Sequence, residues 1–98
     1  MMRTKNINSN ALETLPNIGK VSAEKLMKIG INTAEDFLSR DPYQVFDELL
    51  ERVDSFLCRC ALASIVGAKL GKPWHKITKE TAAEYVKRYP NHRWKNNC

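Results

Sequence analysis

Proline and glycine decide more about this chain than any other residue types. Pro16, Gly19, Gly30, Pro42, Gly71 and Pro90 cut it into short stretches, and none alternates with period two for long enough to make a strand. Between the cuts, apolar residues recur at helical spacing. A first helix runs from a Ser9 or Asn10 cap to about Thr14, with Leu12 and Leu15 as its apolar contacts, and Pro16 stops it. Gly19 opens a second, in which Val21, Leu26 and Ile29 lie near one face, and Gly30 sits where a left-handed C-terminal residue is wanted. A third follows a cap at Asn32 or Thr33 and turns Ala34, Phe37 and Leu38 inward. Asp41-Pro42 is a start signal: the carboxylate caps, and proline at the first helical position gives up no needed N–H. Gln44 stands where a capping box has its partner, and Val45, Phe46, Leu49 and Leu50 form one stripe through about Val53. A fifth helix, capped by Asp54 or Ser55, carries Phe56, Leu57, Ala61, Leu62, Ile65 and Val66 on a broad apolar face and ends at Gly71. Thr78 caps the last, with Ala82, Ala83, Tyr85 and Val86, and it must stop by Tyr89 because a residue before proline avoids the helical region. The pattern predicts an all-α fold, a compact bundle of five to six short helices.

Ninety-eight residues suit one domain. The expected division is a flexible arm over 1–8, a helical domain over 9–89 and a flexible basic tail over 90–98. An apolar share of 43% and a charged share of 28% describe a chain that folds. No run nears the roughly 18 apolar residues of a membrane span, and the N-terminus lacks a signal-peptide core. Three cysteines, an odd number, fit a reduced cytoplasmic setting. Charge is uneven. Residues 1–68 hold eight Lys/Arg against nine Asp/Glu, whereas residues 69–98 hold eight against only Glu80 and Glu84. Such a surplus suits a polyanionic partner and also serves solubility.

The sharpest functional signal is Leu15-Pro16-Asn17-Ile18-Gly19-Lys20-Val21-Ser22-Ala23-Glu24-Lys25-Leu26. A tight turn between two helices leaves backbone N–H groups unpaired at the second helix's start. With the positive end of the helix dipole, they form an anion site suited to a phosphate. Ile18 plugs the turn into the core, Gly19 lets a backbone approach the phosphate, Ala23 keeps the helices close and Leu26 anchors the second one. The segment resembles the helix-hairpin-helix motif, in which a hydrophobic residue precedes Pro-Gly-Ile-Gly, and places it at about residues 10–29. Asn17 stands where the first glycine is usual. Asparagine tolerates left-handed backbone, while its side chain either obstructs a phosphate or adds a hydrogen bond to it. The resemblance implies sequence-independent contact with a DNA backbone. The amides of Asn17, Gly19 and Val21 and the side chains of Lys20 and Lys25 would make it.

Leu-Pro-Asn-Ile-Gly, then Ile29-Gly30-Ile31-Asn32-Thr33 and Asp41-Pro42-Tyr43-Gln44-Val45-Phe46, resembles the bacterial pathogenicity-locus (Cdd) family. Ala61-Leu62, Gly67-Ala68 and Gly71-Lys72-Pro73-Trp74-His75-Lys76-Ile77 resemble the C-terminal domain of TfoX/Sxy competence regulators. These resemblances imply a bacterial helix-hairpin-helix domain without enzymatic activity. The rival to DNA contact is a regulatory or protein-interaction module in which the hairpin only packs.

Other constellations read as structure. Cys58 and Cys60 on one helix point about 200° apart and cannot share a metal, so no metal or other cofactor is expected. Ser22 and Ser64 lack a nucleophile-elbow context, and no Gly-rich nucleotide loop is present. Trp74 is expected to cover the end of the core with His75 at the surface. Tyr89 and Trp94 lie among Arg88, Arg93 and Lys95, an arrangement that either stacks on bases or simply solubilises a terminus.

Overall fold

The protein is described from a computed structural model, which covers residues 12–95. Five helices follow in order: α1 (Lys20–Lys28), α2 (Ala34–Leu38), α3 (Pro42–Arg52), α4 (Arg59–Leu70) and α5 (Thr78–Arg88), with a 3-10 turn at Trp74–Lys76 between the last two. The described residues contain no strand, and the fold is all-α. The start of the expected first helix lies outside them, as do the arm over 1–8 and Cys98, but Leu12 and Glu13 are helical.

Local chemistry sets most boundaries. Thr33 Oγ1 accepts from the Asp36 N–H at 3.0 Å, and Asp41 Oδ1 accepts from the Tyr43 N–H at 3.1 Å, so α2 and α3 begin at side-chain caps. Gly30 (φ 90°) and Gly71 (φ 73°) close α1 and α4 in the left-handed region that only glycine enters freely. Asp54 does not cap α4. Its N–H closes α3 on the Leu49 carbonyl, and its carboxylate accepts from the Phe56 N–H at 3.0 Å and from Lys25. With Asp54 so engaged, α4 starts late, after Cys58, and Phe56 stands 60% exposed outside the expected apolar face. Leu38, expected inward at the end of a five-residue helix, is also exposed. Thr78 lies inside α5 rather than at its cap, donating its hydroxyl to the Trp74 carbonyl at 2.8 Å.

Helix α4 is the axis of the core. Ile65 and Ala68 pack with Leu12, Leu15, Ile18, Leu26, Ile31, Phe37, Val45 and Leu49, while Leu62, Ala63 and Val66 pack with Phe46, Ile77 and Tyr85. The chain after Tyr89, expected to trail off, folds back through Trp94. That indole lies 6.0 Å from the Phe46 ring and 5.8 Å from Tyr85, with the Arg59 guanidinium over its face at 5.2 Å. An amphipathic indole gains more from this aromatic seat than from solvent. The ring is therefore used within the fold. Tyr85 Oη donates to Asp47 Oδ1 at 3.1 Å, and burial, then the Asp47 charge, push its phenol far above the ordinary range.

One redox expectation is overturned. Cys58 is disulfide-bonded. An odd cysteine count leaves one thiol over but does not prevent a pair. Cys58 precedes α4 and Cys60 lies in its first turn, so the two do not share a helical face.

Candidate functional site

The turn at residues 15–19 forms as its residues dictate. Asn17 adopts φ 67°, the left-handed conformation expected at a glycine position, and Leu15 and Ile18 are buried beneath it. Its side chain, however, is engaged by the protein itself. Asn17 Nδ2 donates to the Lys72 carbonyl at 2.8 Å, and Asn17 Oδ1 accepts from the Trp74 N–H at 3.4 Å. The carboxamide thus ties the turn to the loop after α4. Gly67, on α4, makes room for this clasp. A Cβ there would meet the Lys72 carbonyl oxygen at 2.4 Å and Asn17 Nδ2 at 2.6 Å.

Gly19 is the N-cap of α1, and no side chain caps that first turn. Its backbone (φ −100°, ψ −169°) is extended and open to any residue, and a Cβ there would meet nothing within 4 Å. Nothing in the fold therefore requires glycine at this position. The first-turn amides lie at the positive dipole end without a side-chain cap, beside the exposed Lys20. Val21 is 65% exposed rather than packed with Leu26. Five residues of helix rotate about 140°, so Ala23 and Leu26 take the inner face.

Lys25 is not free for a ligand. Its Nζ donates to Asp54 Oδ2 at 2.9 Å. That hydrogen bond, and then the one from the Phe56 N–H, hold the Asp54 carboxyl below the usual carboxylate range. The lowered value means that this stabilisation is present above the ordinary range and fades as pH falls through the lowered pKa. Asp54→Asn is expected to flatten the loss of stability between about pH 5 and pH 2 by at most about 1 kcal/mol, read as the urea midpoint against pH. An unchanged acid limb would show that the pair contributes nothing.

Pairing separates the cations into two groups. Arg40 and Arg52 bond Glu48, Arg88 bonds Asp41 and Glu84, and Lys69 donates to the Leu38 and Arg40 carbonyls. Lys20, Lys72 and Lys76 are exposed and, like Lys28, Lys79, Lys87 and Arg93 elsewhere, pair with no carboxylate among the described residues. Of the five sequence-derived positions, Asn17, Gly19, Lys20 and Val21 thus gather at one turn, while Lys25 is drawn aside by Asp54. What the sequence reading missed is the Gly71–Lys76 loop beside them. Its one local sign was an amide side chain at the usual glycine position.

Comparison with known proteins bears on this arrangement. A model of the pathogenicity-locus family (Cdd1) matches residues 5–84, which spans the hairpin, the loop and most of α5. The chain belongs to the pathogenicity-locus family. A structural relative is an uncharacterised protein from Listeria monocytogenes, known from a triclinic crystal form. It has a TM-score of 0.69 and 30% sequence identity, covering 84% of this chain and 97% of that one. No curated protein matches. The pathogenicity-locus domain therefore has an experimentally determined counterpart for its fold. No helix among the described residues is long and apolar enough to cross a membrane.

Proposed function

We propose that this pathogenicity-locus protein is a non-enzymatic helix-hairpin-helix module that contacts a nucleic-acid backbone without reading sequence. One observation carries the reading: a glycine that the fold does not need stands open to solvent at the uncapped start of α1. A backbone phosphate would sit there, on uncapped amides at a positive dipole end, with Lys20 alongside. The basic surplus after residue 68 adds long-range attraction. The resemblance of Gly71–Ile77 to the TfoX/Sxy C-terminal domain supports a second reading, a regulatory protein-interaction module. The exposed Val21, Phe56 and Leu70 favour it.

Binding of labelled duplex and single-stranded DNA across a salt series separates the two. Two or three neutralised phosphates give a slope of log affinity against log salt of roughly −2 to −3, with micromolar or weaker affinity at physiological salt. Lys20→Glu is expected to weaken binding more than Lys79→Glu, since only the former lies at the turn. Gly19→Val should abolish binding at unchanged helicity, because its side chain enters open space rather than the core. Equal losses from Lys20→Glu and Lys79→Glu would mean diffuse attraction with the hairpin as structure only. Absence of salt-sensitive binding would leave the protein-interaction reading.

A further inference from the structure

The Gly71–Lys76 loop offers an aromatic face that the fold leaves uncovered. Trp74, expected to close the end of the core, is 40% exposed. Every residue from Leu70 to Lys76 is exposed with it. The other tryptophan, Trp94, is packed against Phe46 and Tyr85. The difference is one of setting. Trp74 sits at the start of a three-residue 3-10 turn that buries nothing, and its ring meets His75 edge to face at 5.7 Å. Lys72 and Lys76 flank it unpaired, and no acidic residue occurs between Asp54 and Glu80.

The loop is nevertheless held. Trp74 donates its N–H to Asn17 and accepts at its carbonyl from the Thr78 hydroxyl and, at 3.1 Å, from the Ile77 N–H. The Lys76 N–H donates to the Pro73 carbonyl at 3.2 Å. Asn17 lies two residues from Gly19, so the loop that carries Trp74 is tied to the chain next to the open turn. A part-exposed aromatic ring, flanking cations and an uncapped helix start on the segment tied to it match one chemistry. Single-stranded nucleic acid presents a backbone charge and, unlike a duplex, a free base face.

We propose that Trp74 is a base-stacking platform and that single-stranded nucleic acid is the preferred partner of this surface. One base lies on the indole, the adjoining phosphates meet Lys72 and Lys76, and a neighbouring phosphate reaches the Gly19 turn. The inference rests on the backbone-contact reading and adds a strand preference to it.

The test titrates the full chain into a labelled oligo-thymidine strand, the same strand with abasic sites, and a duplex of equal length at low salt. Trp74→Ala is expected to weaken oligo-thymidine binding roughly tenfold or more while leaving duplex affinity unchanged. Trp74→Phe should retain most of the affinity, and the abasic strand should bind wild type about as weakly as oligo-thymidine binds Trp74→Ala. Far-UV circular dichroism checks that each variant is folded. If Trp74→Ala binds the strand like wild type, or weakens strand and duplex equally, stacking is overturned and the backbone reading stands. If wild type binds none of the three with salt sensitivity, the backbone reading fails and this inference fails with it.

Discussion

Gly67→Ala is expected to lower the unfolding free energy by roughly 3 kcal/mol, a fall in Tm of about 10–20 °C. In an ordinary helix interior the same change would stabilise by up to about 1 kcal/mol. The sign reverses here because the added carbon meets the Lys72 carbonyl oxygen at 2.4 Å and Asn17 Nδ2 at 2.6 Å, two atoms bonded to each other. Neither is free to step aside. The loop must lift from α4, or the hairpin must let go of it. Thermal or urea melts measure the loss. A double-mutant cycle adds a second readout, since Asn17→Ala should cost little once alanine at 67 has already parted the clasp. A Gly67→Ala protein that melts with or above wild type would mean that the loop does not close over α4 as described.

Phe46→Ala is expected to cost about 3–5 kcal/mol, a large part of the total stability of a domain this size. Phe46 is fully buried and supports two neighbours at once. Its ring meets Tyr85 of α5 edge to face at 5.2 Å and Trp94 at 6.0 Å. Removing it unseats both α5 and the returning chain. In a Trp74→Phe background Trp94 is the sole indole, so its emission should shift red as the urea midpoint falls. A loss of stability with unshifted emission would show that Trp94 does not depend on the Phe46 ring.

The sequence was most readable where structure is local. The caps at Thr33 and Asp41, the left-handed exit at Gly30 and the end of α4 at Gly71 each involve atoms a few residues apart, and all four occur as expected. The buried centrality of α4 followed from its apolarity alone. Pattern reasoning failed where a residue had several suitors. Asp54 had the composition of a helix cap but is engaged by Lys25 and the Phe56 amide, and the start of α4 moved accordingly. Trp94 had the surroundings of a solvated terminus, and only the folded chain brings Phe46, Tyr85 and Arg59 to meet it. At the candidate site the left-handed turn at Asn17 was legible, because backbone preference is intrinsic. The destination of its side chain was not, because no periodicity links positions 17 and 72.

That last contact joins residues 55 apart in the chain. The surface made by the turn and the loop consequently cannot form in a fragment that lacks either, since its halves lie far apart in the sequence. A ligand held there would, by mass action, favour the closed fold over any form in which the two segments are apart. Asn17 thus acts as a coincidence detector: it joins the surface only when the turn and the loop have both arrived.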